Sequence, residues 1–206
     1  MSDAYEQVEV TSVAELRRWL EVEHDRRDGA WLVTWKKNTP DKYVSYEELV
    51  RELLCVGWID SQARRLDENR SQLMITPRRP GSAWSQPNKV RVGELEAAGL
   101  MRPAGLAAVA LAQKSGTWTA LDDVDNLVEP AALAEALNAN PSARQHWEEF
   151  PRSARRAILQ WISQAKREPT RAARIAETAR LAADNIRANQ PARRDRPDPA
   201  RTPHRG

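Results

Sequence analysis

The stretch S-Y-E-E-L-V-R-E-L-L-C-V-G, residues 45 to 57, constrains this chain more than any other because chemistry fixes both of its ends. Ser45 stands as an N-cap with Glu48 three positions on, the pairing that satisfies two orphan backbone donors, and Val44 can staple onto Leu49. Gly57 supplies the left-handed residue that closes a helix. A helix over 46 to about 55 is therefore expected, with W-I-D leaving it as a strand.

The neighbouring signals fit around that helix. Y-E-Q-V-E-V reads as a short strand, and Ser12 with Glu15 as a second capping box that opens a helix with Leu16, Trp19 and Leu20 inward. A-W-L-V-T-W-K-K, after Gly29, is apolar on both sides and reads as a central strand. Past Asp60, Q-A-R-R-L and S-Q-L-M-I-T form two hairpin arms about the turn D-E-N-R, with Leu73 and Ile75 on one face and Pro77 and Pro80 ending the second arm. Ser85 caps a helix with Pro87 in its first turn and Gly99 at its end, and a further helix runs from about 103 to 114.

After Trp118 the pattern changes. L-D-D-V-D-N-L-V-E-P is acidic and linker-like, and the remainder is helical in pattern. Asn140-Pro141 starts one helix, Ile158, Trp161, Ile162 and Ala165 mark the inner face of the next, and Ala172, Ile175, Ala176, Ala179 and Ile186 that of the last. Pro169 separates these two, which are expected to fold back as a helical hairpin. The fold class is thus α+β: a small mixed or antiparallel sheet with packed helices over residues 1–118, then a helical segment over 119–187. Residues 188–206, rich in proline and arginine without periodicity, read as a disordered tail.

Composition narrows the function classes. No run approaches the ~18–20 apolar residues of a membrane span and the first residues lack a signal-peptide pattern, so a cytoplasmic location is expected. The one cysteine, Cys55, cannot pair within the chain or build a thiolate metal cluster, and it reads as a buried inert thiol. His24, His146 and His204 share no metal or triad spacing. No catalytic residue, metal or cofactor is read from the sequence.

The formal charge of +3 is unevenly spread. Six arginines against Asp195 and Asp198 give residues 187–206 a net +4, leaving the rest near −1. Within that body, Arg64, Arg65, Arg70, Arg78, Arg79, Lys89 and Arg91 face only Asp67 and Glu68 over residues 64–91, a local +5. An anionic partner fits this basic pole. The candidate ligand or anion site is Trp58, Asp60, Arg78, Arg79 and Trp84. Arg78 and Arg79, pinned between Pro77 and Pro80 and followed by Trp84, form a rigid cationic turn able to clamp a carboxylate or phosphate; a solvated hairpin end would carry the same charges. Trp58 and Trp84 serve either as core aromatics or as ligand platforms. Asp60, inside a strand pattern, needs a partner if buried, for which Arg64, Arg65, Arg78 and Arg79 are candidates, and it reads as a structural ion pair or a site acid.

Several motifs in one order carry a family resemblance: W-L-x-x-W-K-K, S-Y-E-E-L, L-C-V-G-W-I-D-S-Q, T-P-R-R-P-x-S-x-W-S, M-R-P-A-G-L and W-I-S-Q-A-K-R-E-P-T-R-A-A-R-I. Over roughly residues 13 to 187 the chain resembles the YdeI/OmpD-associated family of bacterial proteins. The resemblance implies an N-terminal α+β part, a helical C-terminal part, a link to outer-membrane porins and protection against bacteriocins or antimicrobial peptides; it supplies no reaction. Ser61 stands where the family form G-W-I-D-G-Q has glycine, which puts the tightness of a turn there in question.

Three functional expectations follow. The first is a non-catalytic cytoplasmic stress-protection protein that binds a protein partner or small anionic ligand through residues 58–85. The second is nucleic-acid or other polyanion binding through the basic 64–91 region and the tail. The third is an enzyme using Asp60 in a pocket.

Overall fold

The computed structural model describes residues 5–189, so the proline- and arginine-rich end from residue 190 onward, His204 included, lies outside the described residues. The chain divides into two compact units, residues 1–122 and 123–206. Each is considered by itself.

The first unit is built on α2 (Tyr46–Cys55), which has the extent and the caps its sequence specifies. The Ser45 hydroxyl accepts from the Glu48 backbone N–H at 3.3 Å, and the Glu48 carboxylate accepts from the Ser45 N–H at 2.9 Å. Leu49 and Leu53 join one apolar cluster with Val44, Trp58, Leu73 and Ile75 under the sheet. Val50, Leu54 and Cys55 join a second with Trp84, Val92, Leu95, Val109 and Ala112. Helix α2 is therefore buried on two sides.

Four strands, β1 (Gln7–Glu9), β2 (Ala30–Trp35), β3 (Trp58–Arg65) and β4 (Arg70–Pro77), form one sheet in the order β1-β2-β4-β3. β1 runs parallel to β2, and the other pairings are antiparallel. The sheet is mixed, and β2 is internal with Ala30 through Thr34 all buried, as apolar side chains on both faces require. Between Asp60 and Ala63 the register shifts: Asp60 faces Ile75 and Ala63 faces Leu73, so β3 carries one extra residue at Ser61–Gln62. Ser61 thus sits in a bulge, not a tight turn, and it lacks the positive φ that would favour glycine.

Helix α1 (Val13–Glu23) buries Leu16 and Leu20. Its cap departs from the expected box by one residue: the Ser12 hydroxyl accepts from Glu15 N–H, but the Glu15 carboxylate reaches back to the Thr11 N–H and hydroxyl at 2.7 and 2.9 Å. Helix α3 (Gln86–Ala97) begins at Ser85 in extended conformation with Pro87 in the first turn, yet the Ser85 hydroxyl makes no cap bond. The proline fixes that start without it. Helix α4 (Pro103–Ser115) ends at left-handed Gly116.

Two glycines weld α4 to the end of α2. Gly57 has φ +77°, and a Cβ on Gly105 would stand 2.3 Å from the Cys55 carbonyl oxygen. That same oxygen accepts the Arg102 N–H at 2.9 Å.

The segment read as a linker instead contains a short helix, α5 (Asp122–Asp125), and Asp125 is 9% exposed with its carboxylate accepting from Arg156 Nε at 2.7 Å. Burial of a charge this deep demands such a partner, which a composition of acidic residues does not disclose. The second unit continues with α6 (Ala131–Asn138), α7 (Pro141–Glu149), α8 (Arg152–Ser163) and α9 (Glu168–Ala183). Asn140 caps α7, its Oδ1 accepting from the Ser142 and Ala143 N–H groups. Helix α8 buries Ile158 and Ile162 as its periodicity dictates, and Ala165 just beyond its end is buried too, but Leu159 is buried where Trp161 was expected, the indole being half-buried under Arg174. Helix α9 buries Ile175, Thr178 and Ala182, whereas Ala172 and Ala176 are exposed and Ile186 is 50% exposed beyond its end. The alanines misplaced this face: Thr178 hides its hydroxyl by donating to the Arg174 carbonyl at 2.8 Å and so behaves as an apolar residue. Helix α9 packs on α6 and α7 as well as α8, so the pair is part of a bundle, not an isolated hairpin.

Replacing Gly105 by alanine is expected to lower the stability of the first unit by about 1–3 kcal/mol, because the added methyl meets backbone. Gly93→Ala, inside α3 with open space at its Cβ, is expected to raise it by roughly 0.5–1 kcal/mol. Urea unfolding followed by tryptophan fluorescence distinguishes the two signs.

Candidate functional site

β4 ends at Pro77, and the chain turns through Arg78 to Pro80 before entering Trp84. The Arg78 N–H donates to the Gly57 carbonyl at 3.0 Å, and the Ser82 N–H donates to the Arg79 carbonyl at 2.9 Å, which closes the turn. The Arg78 guanidinium lies 3.7 Å from the centre of the Trp84 ring, and its Nη2 donates to the Ala83 carbonyl at 2.8 Å. Its Nη1 is buried and makes no hydrogen bond among the described residues. Burial pushes the Arg78 pKa down to about 10, partly offset by the charge of Asp60, and the group remains a cation at neutral pH.

Trp84 is 1% exposed and packs on Trp118 with centroids 5.0 Å apart. Arg78, Arg79, Ser82 and Trp84 share a recess of about 50 Å³ with Ala108, Leu111 and Ala112 of α4. The space admits one small anionic group such as a carboxylate or phosphate. Arg79 is exposed at its edge.

The structure does not bring the other two sequence candidates into this recess. Trp58 is fully buried, stacks edge-on against Trp19 at 5.6 Å and donates its indole N–H to the His24 carbonyl at 2.9 Å. It closes the core beneath the sheet and offers no face to a ligand. Asp60 projects toward α2, where its Oδ2 accepts from the Tyr46 hydroxyl at 2.9 Å. The partner of this carboxylate is therefore a phenol and not one of the arginines expected to pair with it. Tyr46 carries no charge and was invisible to a search for cations, although it is the first residue of the helix whose cap the sequence displays.

Burial, and then the hydrogen bond to Asp60, raise the Tyr46 pKa to about 12. The Cys55 thiol is likewise pushed up by burial, which keeps it an unreactive thiol.

Three cations of the basic pole are neutralised by ion pairs within the fold. Arg70 pairs with Glu9 and Asp67 at 2.8 Å each, Arg91 with Glu47 at 2.7 Å, and Lys89 with Asp122. Arg64 lies 3.8 Å over the Trp31 ring and donates to Gln72, and Arg65 donates to the Asp67 carbonyl. Arg65, Arg78 and Arg79 make no ion pair among the described residues, and of these Arg78 and Arg79 adjoin in one turn beside Trp84.

A spectrophotometric titration of the three tyrosines tests the Asp60–Tyr46 contact. One phenol is expected to ionise near pH 12, and Asp60→Asn to bring it down toward its ordinary value of 10. Because the folded-state pKa is the raised one, its stabilising effect is complete below pH 10 and is lost as pH rises through about 12. Tyr46→Phe is expected to remove that part of the alkaline loss of stability.

Residues 8–108 match a family model described as a Domain of unknown function (DUF8412). No curated protein and no solved structure matches the chain. Residues 126–185, within the second unit, match the model described as Bacteriocin-protection, YdeI or OmpD-Associated, so the resemblance to that family rests on this helical segment.

Proposed function

We propose that this protein is a non-catalytic, cytoplasmic binding protein of the bacteriocin-protection kind, whose first unit holds a small anionic ligand or an acidic group of a protein partner at Arg78. The observation that carries the binding reading is the Arg78 guanidinium, stacked on Trp84 with a buried Nη1 that no group of the described residues satisfies. An unsatisfied buried donor costs about 1–3 kcal/mol, and a charge-assisted bond to an entering anion would recover it. Pro77 and Pro80 stiffen the turn, so little backbone entropy is lost when the anion enters. Arg79, exposed beside it, adds a second cation.

The protective role rests on the domain match over residues 126–185. That domain lies in the second unit while the recess lies in the first, which assigns capture and protection to different parts of the chain. None of the described helices is long and apolar enough to cross a membrane, so a link to an outer-membrane porin would be indirect. The ion pairs of Arg70, Lys89 and Arg91 within the fold favour this reading over polyanion binding, and the hold of Tyr46 on the Asp60 carboxylate, which does not line the recess, favours it over an Asp60-based enzyme.

Calorimetric titration with inorganic phosphate at low ionic strength is expected to show saturable binding that Arg78→Gln with Arg79→Gln weakens by at least about tenfold. Equal affinity in a double variant that retains the helical circular dichroism would refute the recess. For the protective role, bacteria expressing the chain should survive a bacteriocin challenge better than cells carrying empty vector, and equal survival would remove that part of the reading.

A further inference from the structure

A pocket larger than the arginine recess, and open to solvent, lies elsewhere in the first unit. It lies at the opposite end of α2, where the sheet, Tyr43 and Val44 and the start of the helix meet around about 310 Å³. This is within the range of small-molecule sites, whereas the arginine recess is several-fold smaller.

The base of this pocket follows from strand register. Thr34 of β2 and Ser71 of β4 are direct cross-strand partners, two residues beyond the core pair Leu32 and Leu73 and so on the same face of the sheet. Both hydroxyl side chains line the pocket. Thr34 is only 7% exposed, and neither hydroxyl makes a hydrogen bond with any described residue. Ala63 lies opposite Leu73, the bulge taking up the extra residue at Ser61–Gln62, and its short side chain lines the pocket.

The walls are apolar and aromatic: Val44, Leu49, Leu73, Tyr43 and Tyr46. Lys36, Lys37, Trp35 and Gln72 complete the lining, which contains no carboxylate. The Lys36 ammonium is held by the Asp67 and Glu68 carbonyls at 2.7 and 2.9 Å. The Lys37 ammonium makes no hydrogen bond or ion pair among the described residues and lies 6.0 Å from the Tyr43 ring centre. At the same rim, Trp35 is flanked by Lys42 at 4.4 Å and Arg70 at 5.6 Å.

We propose that this pocket is a second ligand site, distinct from the arginine recess, that takes a flat aromatic carboxylic acid of about bicyclic size. The ring system lies between Tyr43 and Tyr46 against Val44, Leu49 and Leu73. Ala63 leaves depth for it, and Thr34 and Ser71 hydrogen-bond a polar substituent on the inner edge. The carboxylate sits at the mouth with Lys37. Charge selects the acid over an amine of the same shape, since the lining offers cations and no anion.

The test uses the full chain and three probes of one shape: 2-naphthoate, the neutral 2-naphthamide and the cationic 2-naphthylmethylamine, each titrated calorimetrically. Saturable binding of the acid is expected, with the amine at least about tenfold weaker. Ala63→Leu, which fills the base, and Lys37→Glu, an exposed change that leaves the core untouched, should each weaken the acid by about tenfold or more. Arg78→Gln with Arg79→Gln should leave it unchanged, so failure of the arginine recess and failure of this pocket are separable. Equal binding of acid and amine, affinity indifferent to Lys37→Glu, or no saturable binding of the acid overturns the proposal.

Discussion

Everything in the first unit depends on how closely the chain can approach the last turn of α2. The Cys55 carbonyl there is met by the Arg102 N–H and by Gly105, whose missing side chain alone makes the approach possible. Gly57, two residues on, turns the backbone into β3 with φ +77°. One helix end therefore launches a strand and receives another helix. With α2 fixed at its other end by the Ser45–Glu48 box, its two buried faces define both apolar clusters, and the arginine turn and the naphthoate-sized pocket are placed at either end of one rigid rod.

The backbone plan was readable because its determinants are local. The capping boxes, the glycines at helix ends, the apolar alternation of β2 and the two arms around D-E-N-R act within a few residues, and each element appears where those signals put it. What escaped was governed by contacts distant in sequence. Asp125 looked like part of a solvated linker because its partner Arg156 is 31 residues away. Thr178 replaced the alanines on the inner face of α9 because a single hydrogen bond to its own helix cancels its polarity. Ser61 looked like a substitution in a turn because a bulge leaves no mark in composition.

The candidate site was legible in part for the same reason. Arg78, Arg79 and Trp84 come together because the eight residues from Pro77 to Trp84, two of them proline, have little freedom to separate them. Trp58 and Asp60 lie near them in sequence, but strand geometry sends one into the core and the other toward Tyr46. Proximity along the chain overstated the cluster. The count of basic residues overstated it too, since Glu9 and Glu47, far outside the 64–91 window, neutralise Arg70 and Arg91.

The bulge in β3 has a wider meaning for how this fold can vary. Side chains paired across a ladder point to the same face, so the bulge takes up the extra residue locally and returns Ala63 to the face of its partner Leu73. Chain length at this edge and the lining of the pocket are thereby encoded separately. A lineage that lost or gained that single residue would keep every later pairing of the strand, and with it the chamber that Ala63 lines.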